Sequence, residues 1–125
     1  MPAILLVDDD EPMRKMLGIT LTKLGYQVTE ARDGREALRL FAAEPPDLVL
    51  TDMVMPDKEG VEVIGELRRL QPDLKIIAMS GGGRGDATDY LKVARLMGAA
   101  HTLHKPFSTA DLTDAIDSLL GPPSD

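Results

Sequence analysis

The chain has 125 residues, 43% of them hydrophobic and 28% charged, which suits one domain with one core and not a disordered tail or a coiled coil. It carries 14 Lys and Arg against 21 Asp and Glu, a formal charge of −7, so a broad nucleic-acid surface, which needs a basic patch, is not expected. It has no cysteine, which excludes disulfides, thiolate zinc sites and cysteine nucleophiles, and aromatics at 3% leave an aliphatic core.

In chain order, short apolar runs alternate with stretches of helical period. Ala3–Val7 reads as a strand buried on both faces. Met13, Met16, Leu17, Leu21 and Leu24 then recur at three- and four-residue spacing, and Gly25 is placed to stop that helix. Gln27–Ala31 is a weaker strand, followed by a cap at Asp33-Gly-Arg-Glu36 and a helix bearing Ala37, Leu38, Leu40 and Phe41. Leu48–Thr51 is a third strand, and Val61, Ile64, Leu67 and Leu70 form the next stripe. Lys75–Ser80 is a fourth strand, before a helix with Leu91, Ala94 and Met97 that Gly98 closes. His101–Leu103 is short. Ser108-Thr-Ala-Asp111 caps the last helix, whose Leu112, Ile116, Leu119 and Leu120 face inward, and Gly121–Asp125 reads as a frayed tail.

Five strand–helix repeats with short links imply an α/β fold with parallel strands, right-handed crossovers and helices on both faces. Such sheets bind ligands beyond the carboxyl ends of their strands, near the switch in strand order. That edge is where chemistry collects. The first strand runs into Asp8-Asp9-Asp10-Glu11, the third ends at Asp52, the fourth at Ser80, and the fifth leads to His104-Lys105-Pro106. Carboxylates packed together repel unless a cation lies between them, and hard oxygen donors without His or Cys favour Mg²⁺ over zinc. An acidic turn can equally be a solvated helix cap, which Asp10 or Glu11 before Pro12 fits.

With these motifs together, the chain resembles the receiver domain of two-component response regulators, similar to single-domain chemotaxis regulators, over essentially its whole length. The resemblance implies a flavodoxin-like (βα)5 fold with a five-stranded parallel sheet of order 2-1-3-4-5, one domain over residues 1–125. It implies that Asp52 is the phosphoacceptor, with Mg²⁺ bound directly by Asp9, through water by Asp8, and by Asp52 and the backbone carbonyl of Val54. Ser80 and Lys105 are expected to hold phosphoryl oxygens, with Lys105 taking no part until one arrives, and the Lys105–Pro106 bond is expected to be cis. A histidine kinase or phosphotransfer protein, docking near Met13–Leu17, is the implied donor. A downstream protein is the implied target, through helix four, strand five and helix five. No direct nucleic-acid or membrane partner is implied, and a cytoplasmic location is expected. Beyond phosphorylation and dephosphorylation at Asp52, no enzyme activity is implied.

Other features have plainer readings. A haloacid-dehalogenase phosphatase also uses an Asp nucleophile, but the second Asp it needs is replaced by Val54. His101 and His104, three apart in a strand, face opposite ways and are not expected to share a metal. The methionines, Phe41 and Phe107 are expected to fill the core. Gly81–Gly85 lacks a nucleotide P-loop ending and reads as a mobile link. Where the family often has an aromatic residue three positions before the lysine, this chain has Thr102, and Val54 and Gly82 stand at the positions that tune phosphoryl lifetime.

Overall fold

The structure, a computed structural model, describes residues 2–53, 60–81 and 87–121, with backbone only for 60, 61 and 87–91. Its elements run β1 (Ala3–Val7), α1 (Glu11–Lys23), β2 (Gln27–Ala31), α2 (Gly34–Ala43), β3 (Leu48–Asp52), α3 (Gly60–Leu70), β4 (Lys75–Ser80), α4 (Ala87–Met97), β5 (His101–His104) and α5 (Thr109–Leu120). The strands pair in parallel in the order β2-β1-β3-β4-β5, the flavodoxin-like arrangement expected.

Local chemistry sets the helix ends. The Asp10 side chain accepts from Met13 N at 3.3 Å, with Pro12 in the first turn, and Asp33 accepts from Glu36 N at 2.8 Å. Ser108 and Asp111 form a reciprocal capping box at α5. Gly25 at φ 100° and Gly98 at φ 112° follow α1 and α4 in the left-handed region, as their placement after the apolar stripes implies.

Alternation along each strand divides the core into two layers. Leu5, Val7, Val49, Ile76 and Ala78 pack with Ala37 and Phe41 of α2, Ile64 and Leu67 of α3, and Ala94 of α4. Ile4, Leu6, Leu48, Leu50, Ile77 and Met79 pack on the other side with Leu17 and Leu21 of α1 and Leu112 and Ile116 of α5. Because all the strand pairs are parallel, every strand points its carboxyl end to one edge.

Three inward assignments fail. Leu70 is exposed, and Val63 takes the buried place beside Ile64. Met16 is exposed because Leu17 and Leu21 hold the inward face of α1 and Met16 lies one residue, about 100°, off it. Met97 is partly exposed, yet its Cε would meet a Cβ built on Gly65 at 3.0 Å, so it covers that glycine. Met53, Met79 and Phe41 are buried, and Phe107 packs on the core as a half-buried ring. The expectations for Val54, Met55, Gly82–Gly85 and the tail beyond Gly121 lie outside the described residues.

Candidate functional site

The register builds the site. Val7 pairs with Thr51, Asp52 with Met79 and Ser80 with His104, so residues at or just past four strand ends meet at one edge. Asp52 continues the side-chain alternation of Leu48 and Leu50, and Asp8 follows Leu6 by two residues. One carboxylate oxygen each from Asp8, Asp9 and Asp52 lies within 4.8 Å of the others, the one such acidic group among the described residues.

Burial makes this grouping costly. Asp8 and Ser80 are fully buried, Asp52 is 8% exposed and Asp9 faces solvent. Asp8 is held at several points: its amide donates to the Ala31 carbonyl at 3.1 Å, and its Oδ1 accepts from Asp10 N at 3.0 Å. Lys105 Nζ donates to Asp8 Oδ2 at 3.0 Å and lies 3.7 Å from Asp52 Oδ1, which also accepts from Met53 N at 2.9 Å. Lys105 is positioned by its own amide, which donates to the Ser80 carbonyl at 2.8 Å, and its bond to Pro106 is cis. A Cβ on Gly81 would lie 3.4 Å from the Lys105 stem, so the smallest residue sits where that side chain passes.

The Asp52 carboxyl is pushed up from 3.8 to about 6. Burial is the main cause; Lys105 and the Met53 amide pull it down, while Asp8 and Asp9 push it further up. Three carboxylates against one ammonium leave a formal charge of −2 at the site. A divalent cation balances that charge, and an all-oxygen donor set suits a hard ion.

The edge therefore brings together Asp8, Asp9, Asp52 and Lys105, with Ser80 buried at the neighbouring strand end. Val54 lies outside the described residues. One expectation is corrected: Lys105 does not wait for a phosphoryl oxygen, because a buried Asp8 carboxylate needs a partner already. Among the described residues, neither His101 nor His104 belongs to a cluster of three or more side chains that could hold a metal ion. Arg14 escaped the sequence reading. It donates from Nη1 to the Asp8 carbonyl at 2.9 Å and from Nε to Glu30 Oε1 at 3.2 Å. The available signal was a cation close behind a helix N-terminus, where the macrodipole favours anions and a cation calls for a partner.

Chemically, this is a buried carboxylate beside an ammonium, with three clustered carboxylates that could hold a metal ion. The family model for the response regulator receiver domain matches residues 4–117. The chain belongs to the response regulator receiver domain family. The receiver is 37% identical over 120 residues to the response regulator receiver protein CpdR of Brucella abortus, covering 96% of this chain and 98% of that one. It is 32% identical to sporulation initiation phosphotransferase F of Bacillus subtilis, covering 94% of this chain and 92% of that one. Against a probable transcriptional regulator, ycf27 of Cyanophora paradoxa, identity is 41%, but the match spans 47% of that longer protein. Among solved structures, the receiver is similar to response regulator TrrA of Thermotoga maritima, solved in complex with Mg²⁺–BeF. TM-score is 0.85 and identity 32%, over 96% of this chain and 100% of that one. Chemotaxis protein CheY4 of Vibrio cholerae gives a TM-score of 0.86 at 29% identity, over 96% of this chain and 99% of that one. Receiver domains take part in phosphorylation-based signalling with kinases or phosphotransfer proteins, and no described helix is long and apolar enough to cross a membrane.

Proposed function

We propose that this receiver accepts a phosphoryl group on Asp52, in a Mg²⁺-dependent reaction, from a histidine kinase or phosphotransfer protein, and so switches a protein-contact surface. The observation that carries the proposal is Asp52 at a strand end, within 4.8 Å of two further carboxylates and 3.7 Å from Lys105. An Asp52 oxygen attacks the phosphorus of the donor; the new O–P bond forms as the P–N bond of a phosphohistidine, or the P–O bond of acetyl phosphate, breaks. The leaving group keeps that electron pair: the histidine ring nitrogen takes a proton from solvent, whereas acetate departs as the anion.

Mg²⁺, when bound, supplies charge neutralisation for the transferring group. Asp9 and Asp52 would hold it directly, together with the backbone carbonyl of Val54 that the family resemblance implies. Asp8 acts through water, a role favoured by the two hydrogen bonds its carboxylate already accepts. Lys105 leaves Asp8 for a phosphoryl oxygen, and Ser80 donates to another. The protein contributes one acceptor and no turnover of outside substrates, and a cytoplasmic location fits that role.

The donor docks at the groove between α1 and α5, where Met13, Met16 and Leu17 face Phe107 and Leu112. The output surface is α4, β5 and α5, with Val93 and Leu96 exposed on α4 and Arg95 Nη2 donating to Thr102 Oγ1 at 3.1 Å. Incubation with acetyl phosphate and Mg²⁺, read by intact mass, tests the proposal. One added phosphoryl group is expected in the native chain and none with chelator or in Asp52→Asn; equal labelling of that variant overturns the assignment.

A further inference from the structure

Arg14 sits beside the cation site without facing it. Its side chain is 11% exposed, and its guanidinium spans from the Asp8 carbonyl at 2.9 Å to Glu30 Oε1 at 3.2 Å, where Lys15 Nζ also reaches at 3.4 Å. The Asp8 carbonyl belongs to the peptide that joins Asp8 to Asp9. That peptide is planar, so fixing its oxygen limits the ψ of Asp8 and the φ of Asp9 together. The Cα–Cβ directions of the two residues are thereby constrained relative to each other, which limits where the carboxylates of buried Asp8 and exposed Asp9 can reach.

Gly18 completes the brace. It lies inside α1, where glycine costs about 1 kcal/mol relative to alanine, so its presence asks for a reason. A Cβ at that position would stand 3.0 Å from Glu30 Oε2. Glycine makes room for the Glu30 carboxylate against the helix, Glu30 aims Arg14, and Arg14 holds the Asp8–Asp9 peptide. We infer that Arg14 is a positioning residue for the divalent-cation site, acting on Asp8 and Asp9 through their shared peptide, with Glu30 and Gly18 as its support. The inference rests on the proposed Mg²⁺ site.

Electrostatics gives it a test with opposite signs. A guanidinium next to a cation site repels the cation, so by Coulomb's law alone Arg14→Gln should tighten Mg²⁺ binding. Positioning demands the reverse, about tenfold weaker binding, the low end of what losing an outer-shell partner does to a metal site. Arg14→Lys keeps the charge but lacks the planar fork that reaches two acceptors, so it should also weaken binding. Gly18→Ala changes no charge and should weaken binding by displacing Glu30.

Calorimetric titration of Mg²⁺ into each folded variant reads this directly, with thermal unfolding alongside. Weaker Mg²⁺ binding in all three variants supports the role. Unchanged or tighter binding in Arg14→Gln and Arg14→Lys, with only a lowered unfolding temperature, reduces Arg14 to a tie between α1 and β2 and overturns it. Should Arg14→Gln fail to fold, Arg14→Lys and Gly18→Ala decide by the same criterion. A native chain that binds no Mg²⁺ overturns both the site and the brace, whereas native binding with indifferent variants overturns the brace alone.

Discussion

Asp52 carries two opposing demands. Its burial and its neighbours Asp8 and Asp9 disfavour the charge that the proposed nucleophilic attack requires, and Lys105 only partly compensates. Because its carboxyl is raised from 3.8 to about 6, the folded state holds a proton there that the unfolded chain has already lost. The sign follows from linkage: between pH about 4 and 6 this group makes the fold less stable as pH rises, and above that the cost is constant at about 2–3 kcal/mol. Asp52→Asn should therefore stabilise the metal-free fold by about 1–3 kcal/mol at neutral pH, with the advantage vanishing toward pH 4. Urea unfolding of both chains across that range checks it, and a pH-independent difference would contradict the burial argument. Lys105→Met should do the opposite. Removing the partner of buried Asp8 should cost about 2–4 kcal/mol, while Mg²⁺ binds more tightly without a competing ammonium. Unfolding and Mg²⁺ titration of that variant read both effects, and weakened Mg²⁺ binding would mean that Lys105 organises the site instead of opposing it.

The elements follow from punctuation that is local in sequence. Asp33 and Ser108 announced α2 and α5, and Gly25 and Gly98 announced the ends of α1 and α4, because each acts on backbone within four residues. Gly98 shows what lies beyond that range. Arg68 of α3 donates to the carbonyls of Pro72, Leu74 and Gly98, and a Cβ at position 98 would lie 2.8 Å from Arg68 Nε. Gly98→Ala thus meets both a left-handed φ and this clamp, and should destabilise by about 1–3 kcal/mol or more. Chemical denaturation measures it; a neutral result would show that the end of α4 relaxes freely. Periodicity foresaw the turn but not the clamp, since the guanidinium crosses 30 residues of sequence to reach its carbonyl.

For the whole molecule, strand–helix alternation was enough to place one edge of the sheet, because parallel strands send every carboxyl end the same way. The residues at those ends, Asp8, Asp9, Asp52, Ser80 and Lys105, were therefore legible as a group before any distance was known. The Arg14–Glu30 pair was not, since it joins α1 to β2 by side chains that carry no periodic signal. Nor was the resting contact of Lys105 with Asp8, which depends on the complete desolvation of Asp8 and so on the finished packing. Both matter for the same reason: a buried cluster of like charge persists only where the rest of the fold holds it. In the proposed function, this fold holds the cluster so that Asp52 can accept a phosphoryl group. An acyl phosphate is reduced by borohydride to an alcohol, which leaves homoserine at the acceptor position. Treating the phosphorylated native chain in this way and sequencing its peptides by mass spectrometry locates the acceptor. Homoserine at position 52 alone is the predicted result; homoserine at position 8 or 9, or none despite one added phosphoryl group, would contradict the account.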